Sequence, residues 1–168
     1  IRTSKGVVAA TTPLAIFGSR YVGRGADVKG KPRLFVKDLV QPSAPAITFA
    51  PPAVAGAWVP EETSIWGDWV SFYFWTGEKV NTYVYNFVTG AAPAMFADGE
   101  LKEFGDGVAL MMDGSGNGGP VLWNYLTDDR TPVPAFNGRI SIDDGNRVAY
   151  VDGEPAGWCA VEPRPAFT

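Results

Sequence analysis

The feature that most constrains the fold is an internal repeat of aromatic and β-branched segments. Segment 83–90 (YVYNFVTG) matches segment 121–128 (VLWNYLTD) at an offset of 38 residues. The segments that precede them, 69–72 and 107–110, share this offset. Two segments with one common offset indicate a repeated structural unit, because chance matches would not keep the same spacing.

The repeat extends in both directions along the chain. Segments 21–22 and 36–41 match segments 69–70 and 84–89, both at an offset of 48. Toward the C-terminus, residues 107–109 (GVA) match residues 147–149 (RVA) at an offset of 40. A period near 40 with about four short strands in each unit is typical of a β-propeller.

The sequence therefore predicts an all-β fold: a β-propeller or part of one, with three to four blades of antiparallel β-meander. Segments 72–75 and 108–112 are apolar at successive positions, which favours strands buried on both faces over the alternative, a β-sandwich. We expect a single domain over residues 1–168. Its predicted units are 14–63, 64–100, 101–139 and 140–168, with residues 6–12 closing the last blade.

The last unit also resembles a known family. Segment 140–150 (ISIDDGNRVAY) is similar to the repeat of TolB-like propellers, in which a Ser-x-Asp-Gly turn precedes a Val-Ala-Tyr strand. Segments 38–39 and 86–90 look like versions of the Asp-Leu-x-Thr-Gly strand ending of that family, whereas 66–68 and 104–107 keep only a Gly/Asp turn. The resemblance implies a propeller that serves as a binding platform or as the non-catalytic domain of a peptidase. A shared fold does not transfer a function.

Composition narrows the functional classes. The chain has no histidine, so it lacks the usual general base, zinc ligand and partner of a nucleophile. Its only cysteine, Cys159, lies in an apolar segment typical of a buried thiol. A net charge of −4 argues against nucleic acid, and the basic stretch 20–37 is interpreted as ordinary surface charge. We predict no enzyme.

Location and completeness are also expectations at this point. No apolar run is long enough to span a bilayer, so no membrane span is predicted. The first residue is Ile rather than Met, and we expect a chain processed from a longer, secreted or periplasmic protein. A second chain is expected to complete the propeller if this one supplies only some of its blades.

Aromatic residues supply the candidate ligand site. Trp66, Trp69 and Tyr83 are expected mainly in the core, whereas Tyr73 and Trp75 precede the turn at 76–77, where propeller loops open. The Pro-rich segment 44–60, which contains Trp58, is interpreted either as a long surface loop or as an arm that docks a partner. Tyr73, Trp75 and Trp58 are therefore the predicted ligand-binding residues, for a protein partner or a glycan.

A Gly-rich hairpin supplies a weak metal motif. Asp113, Ser115 and Asn117 occupy the first, third and fifth positions of a calcium loop, but Asn124 stands where a bidentate acid is expected. The sequence predicts weak Ca²⁺ binding at most and no other cofactor. Scattered carboxylates leave a second hypothesis open, a histidine-free glycoside hydrolase or the propeller part of a peptidase.

Overall fold

The structure, a computed structural model, describes 2–3, 6–7, 12–27, 29, 31–50, 52, 57–115, 118–133, 138–142, 148–152 and 158–162. The elements in this part of the chain are β-strands. They are β1 (Arg2–Thr3), β2 (Gly6–Val7), β3 (Thr12–Phe17), β4 (Arg20–Ala26), β5 (Pro32–Asp38), β6 (Ile47–Phe49), β7 (Ala57–Trp66), β8 (Trp69–Thr76), β9 (Lys79–Asn86), β10 (Ala94–Phe96), β11 (Gly99–Phe104), β12 (Val108–Asp113), β13 (Pro120–Asn124), β14 (Asp129–Pro132), β15 (Gly138–Ile142), β16 (Val148–Asp152) and β17 (Trp158–Glu162).

Each sheet is built from consecutive strands. Three four-stranded sheets have the orders β3-β4-β5-β6, β7-β8-β9-β10 and β11-β12-β13-β14, and β15-β16-β17 form a three-stranded sheet. In the described part of the chain, the strands of these sheets pair antiparallel, for example β4 with β5 and β12 with β13. A Greek-key sandwich would bring distant strands into one sheet, and these meanders do not. The predicted all-β fold built from antiparallel meanders is confirmed.

The chain divides into two compact units. The first comprises residues 1–77 and 83–93, and the second comprises residues 78–82 and 94–168. At the N-terminus, β2 pairs with β1, Gly6 lying opposite Thr3. Closure of the last blade by residues 6–12, and the single-domain organisation, stay predictions.

The third strand of each four-stranded meander ends in the same local structure. Asp38, Asn86 and Asn124 stand at the predicted offsets of 48 and 38. In each, a side-chain oxygen accepts a hydrogen bond from the backbone N–H two residues later, at 2.8, 3.0 and 3.0 Å, which closes an Asx turn. The residues that donate these bonds are Val40, Val88 and Leu126.

The second strands of the first two meanders, β4 and β8, correspond at an offset of 49 residues, one more than the predicted 48. The N–H groups of Leu39 and Phe87, 48 residues apart, donate to the carbonyl oxygens of Ser19 and Asp68, which are 49 apart. The predicted match of 21–22 with 69–70 is therefore wrong by one position. Strands β4 and β8 are buried at successive positions, so no polar alternation fixes their register in the sequence.

The core of the first unit lies between the β3–β6 sheet and the strands β7 and β8. Val22 and Val36 of the first sheet and Val70 and Phe72 of the second are buried in one cluster. The Phe72 ring also lies parallel to the ring of Tyr83, with centroids 5.9 Å apart. Each fully buried side chain of this size stabilises the fold by about 1.5–3 kcal/mol.

The second unit has its own aromatic core. The Phe96 ring meets the Trp123 ring edge-on, with centroids 5.5 Å apart. Gly99 is required beside them, because a Cβ there would lie 2.5 Å from the Phe96 ring. The carbonyl oxygen of Gly99 accepts a hydrogen bond of 2.7 Å from the buried hydroxyl of Thr82. Close backbone packing therefore holds the ring of Phe96 against Trp123.

The Pro-rich segment 44–60 differs from its interpretation as a loop or an arm. Ile47–Phe49 forms β6, and β7 begins at Ala57. Strand pairing explains the difference, because the backbones of these strands hydrogen-bond to β5 and β8. The sequence did not indicate strands here, because proline is disfavoured in the interior of a sheet.

In the described part of the chain, no helix has both the length and the hydropathy needed to cross a membrane.

Candidate binding surface

Tyr73 and Trp75 form an aromatic pair at the end of β8, in which only Trp75 is exposed. Alternate residues of a strand share a face, so both lie on the face opposite Phe72 and Phe74, which pack in the core. Trp75 is 42% exposed and Tyr73 only 9%. Their rings meet at 79° with centroids 6.3 Å apart. The buried ring of Tyr73 therefore packs against the ring of Trp75, and the Trp75 ring is partly exposed to solvent.

Trp58 occupies a different register position. Its backbone lies opposite Phe74, whereas Val59 lies opposite Tyr73 and Ala57 opposite Trp75. The side chain of Trp58 lies outside the described part of the structure. The structure thus brings Tyr73 and Trp75 together, and the role predicted for Trp58 stays a prediction.

The β8–β9 hairpin, 77–78, borders Trp75. Gly77 has a φ of +67°, a left-handed conformation that favours glycine and allows a tight two-residue turn. Glu78 is exposed, and Lys79 forms an ion pair of 3.1 Å with Asp98. A short hairpin with a fixed backbone holds Trp75 at the end of its strand.

The β4–β5 hairpin is closed by a carboxylate that the sequence reasoning missed. One oxygen of Asp27 accepts hydrogen bonds from the backbone N–H groups of Lys29, at 2.8 Å, and Lys31, at 3.0 Å. Its other oxygen lies 2.7 Å from the guanidinium of Arg33. The Lys31 N–H is the largest of the effects that together hold the pKa of Asp27 below its ordinary value. The Asp-x-Lys-Gly-Lys pattern was the available signal.

The β4–β5 hairpin and the end of β8 lie at the same end of the first unit. At the other end, Arg20 begins β4 and forms an ion pair with Asp68, which directly precedes β8. Beside this pair, the rings of Phe17 and Trp66, which end β3 and β7, lie with centroids 4.5 Å apart. Further along, Phe49 lies opposite Leu34, which is itself opposite Arg24 of β4, and the Phe49 ring lies 6.5 Å from the ring of Phe72 in β8. The strands β4 and β8 therefore run in the same direction, and both end at the opposite end of the first unit.

The predicted calcium residues are engaged within their own hairpin. The Asp113 carboxylate accepts a hydrogen bond of 2.9 Å from the Ser115 N–H, and the Ser115 hydroxyl is the main cause of its lowered pKa. Asn117 lies outside the described residues. Among those that are described, no three acidic or cysteine side chains are grouped to hold a metal ion. Weak calcium binding stays a prediction.

Several basic residues in the stretch 20–37 have specific partners, so the stretch is not uniformly solvated. Besides its ion pair with Asp68, Arg20 lies over the Phe87 ring, 5.6 Å from the centroid. The Lys37 ammonium donates to the carbonyl oxygen of Ala44. Such long-range partners, 48 residues apart for Arg20 and Asp68, cannot be inferred from local charge.

The comparisons with known proteins locate a distant structural likeness. No protein-family model matches the chain, and no curated protein matches its sequence. The crystal structure of TolB from Acinetobacter baumannii superposes on it with a TM-score of 0.47 at 14% sequence identity. The match covers 87% of this chain and 38% of that one, so the chain spans well under half the length of the matched structure.

Proposed function

We propose that the chain is a non-catalytic binding module that recognises a protein partner through Trp75. The observation that carries the proposal is a large indole, 42% exposed, whose ring rests edge-on against the buried ring of Tyr73. Trp and Tyr dominate the binding energy of protein interfaces because they offer a large, rigid contact area. A side chain already held in place loses little conformational entropy when a partner covers it.

The contact between the Trp75 and Tyr73 rings favours a protein over a glycan as the ligand. Sugars stack on a flat aromatic face surrounded by hydrogen-bonding side chains, whereas Trp75 is backed by another aromatic ring on its own strand face. The glycan remains the alternative ligand, and completion of the propeller by a second chain and a secreted or periplasmic location stay predictions.

Several carboxylates have structural partners, which supports a non-catalytic role. Asp27, Asp38 and Asp113 each accept backbone N–H hydrogen bonds that help to lower their pKa. The alternative of a histidine-free glycosidase requires one carboxylic acid with a raised pKa and a second carboxylate about 5–10 Å away. Carboxylates held in turns by backbone N–H groups are poor general acids, whereas Glu103, whose pKa is raised by burial, meets the first of these two requirements.

A defined peptide library tests the proposal. Random peptides displayed on phage are selected against the wild-type chain, and their affinities are then measured for Trp75→Ala and for Val88→Ala, an exposed apolar control. We expect Trp75→Ala to weaken binding by about tenfold or more, as for a hot-spot residue, and the control to have little effect. Peptides that bind both variants equally would contradict the proposal, as would a Trp75-dependent sugar on a glycan array.

A further inference from the structure

We infer that the partner segment recognised by Trp75 is acidic, and that Lys29 and Lys31 on the neighbouring hairpin attract it. This inference rests on the proposed function, because it names the chemistry of the ligand that Trp75 anchors. Its first observation is the uneven distribution of charge along the chain, which is independent of the argument for Trp75.

The β4–β5 hairpin is basic in an acidic protein. From Arg20 to Asp38 the chain has six cationic side chains and two carboxylates, a net charge of +4. The whole chain has a net charge of −4, so the other residues, with eight cations and sixteen carboxylates, carry −8. A local excess of this sign, against a background of the other, steers acidic partners toward the hairpin.

Most of these cations have close partners, whereas the ammonium groups of two at the tip form no ion pair with the described residues. Arg20 pairs with Asp68, Arg33 pairs with Asp27, and Lys37 donates to a backbone carbonyl. Lys29 and Lys31 are exposed, and their ammonium groups form no ion pair with another described residue. Their charges are therefore available to a ligand.

Backbone hydrogen bonds connect Asp27, Lys29 and Lys31, the described residues of this hairpin. The Asp27 carboxylate fixes the backbone N–H groups of Lys29 and Lys31, and the Asp27 N–H donates back to the carbonyl oxygen of Lys31 at 2.9 Å. Arg33 forms the ion pair with Asp27, and Lys31 adds a smaller Coulombic interaction with the same carboxylate, so Arg33 offsets most of the negative charge that organises the turn. The backbone of the lysines is positioned before any ligand arrives.

Trp75 and the lysines lie at the same end of the first unit. The Trp75 ring is on the face of β8 that points away from the β3–β6 sheet, so a shared ligand must cross the β8–β9 hairpin. Stacked sheets lie about 10 Å apart, a distance that about three to four extended residues span. The ligand is therefore an extended segment whose apolar anchor and acidic residues are several positions apart.

Synthetic peptides of fixed design test this inference. Each fluorescein-labelled peptide carries one Leu and an Asp-Asp pair separated by a Gly/Ser spacer of one to eight residues, and a matched series carries Asn-Asn. Binding is measured by fluorescence anisotropy at low and moderate salt, for the wild type, for the double variant Lys29→Gln and Lys31→Gln, and for Trp75→Ala. Circular dichroism confirms that the variants are folded.

The expected result distinguishes the contribution of the two lysine charges from that of the Trp75 side chain. The acidic series binds the wild type more tightly than the Asn series at one range of spacers, and the double variant loses about three- to tenfold of that affinity at low salt. Its binding then depends less on salt, because exposed charges are screened over about 10 Å at 0.1 M. Glu78→Gln, which removes an exposed acid two residues beyond Thr76, strengthens binding of the acidic series.

Other outcomes would overturn it in distinguishable ways. If Trp75→Ala abolishes binding but acidic and neutral peptides bind alike, the inference fails and the proposed function stands. If the lysine variant weakens binding and Trp75→Ala does not, the proposed function fails and this inference fails with it. Equal binding of heparin or single-stranded DNA, independent of Trp75, would mean that the hairpin attracts any polyanion, and would also contradict the inference.

Discussion

The hydroxyl of Tyr125 donates a hydrogen bond to the carbonyl oxygen of Gly105, 2.7 Å away, and thereby closes the loop between the first two strands of the third meander. The same hydroxyl accepts a hydrogen bond of 2.5 Å from the N–H of Gly107. The corresponding turns of the earlier meanders, 18–19 and 67–68, have two residues and need no such bridge. One side chain thus satisfies the backbone of a longer loop.

Replacing Tyr125 by Phe should destabilise the protein by about 1–3 kcal/mol, because a buried N–H and a buried carbonyl lose their partner. The free energy of unfolding in urea measures the effect. Tyr85→Phe is the matched control, since the Tyr85 hydroxyl forms no hydrogen bond with the other described residues. Equal losses for the two variants would show that the Tyr125 hydroxyl has no special role.

Asp128 makes a second prediction possible, because it combines an unusual backbone with a buried partner. Its φ is +65°, and its carboxylate accepts a hydrogen bond of 2.8 Å from the indole nitrogen of fully buried Trp123. Asp128→Asn keeps both features and should change stability by under about 0.5 kcal/mol. Asp128→Gly loses the acceptor and an exposed ion pair with Arg130, and Asp128→Ala also strains the backbone.

We therefore expect the stability order Asn, then Gly, then Ala at position 128, with Asp128→Ala losing about 2–3 kcal/mol. Urea unfolding monitored by tryptophan fluorescence measures this series. An Ala variant as stable as the Gly variant would contradict the contribution of the positive φ.

Phe72 and Val88 provide a contrast between core and surface. Phe72 is buried among Phe49, Phe74 and Tyr83, whereas Val88 is exposed. Phe72→Ala should lose about 3–5 kcal/mol through lost transfer energy and an unfilled cavity. Val88→Ala should stay within about 0.5 kcal/mol. Thermal unfolding of both variants tests this contrast. Similar melting temperatures for the two variants would contradict a core role for Phe72.

Glu103 predicts a pH dependence. Burial raises its pKa above the ordinary value of 4.5, so the folded state holds a proton that the unfolded state has released. Its favourable contribution is complete below about pH 4.5 and is lost as the pH rises through the raised folded value. Glu103→Gln should therefore gain stability relative to the wild type over that window.

Urea unfolding across the window measures the difference between the wild type and Glu103→Gln. Exposed Glu78→Gln is the control and should show no comparable change with pH. A constant difference between wild type and Glu103→Gln at every pH would exclude burial as the cause.

Much of the fold was predictable because the repeat consists of residues that favour β-strands. The third strands stand at the predicted offsets since Asp38, Asn86 and Asn124 end each of them with the same turn. The second strands were less predictable, because a strand buried on both faces has no polar alternation to fix its register. Local turn chemistry is readable in a sequence, whereas register between two apolar faces depends on packing.

The candidate surface was predictable only in part. Trp75 was identifiable from its position before a turn, and the structure places it in contact with Tyr73. The closed tip organised by Asp27 was missed, because its basic neighbours have the composition of an ordinary solvated loop. The pairing of Arg20 with Asp68 was also missed, since partners in different sheets leave no local signal.

The meander topology has a consequence for how the chain acquires its structure. Because hydrogen-bonded neighbours are also successive in the chain, each sheet requires only short loops to close, and the entropic barrier to forming it is small. Proteins dominated by such nearby contacts fold faster than β-proteins with distant pairings. Nucleation in any one meander, followed by growth onto the next, is the expected folding route for this molecule.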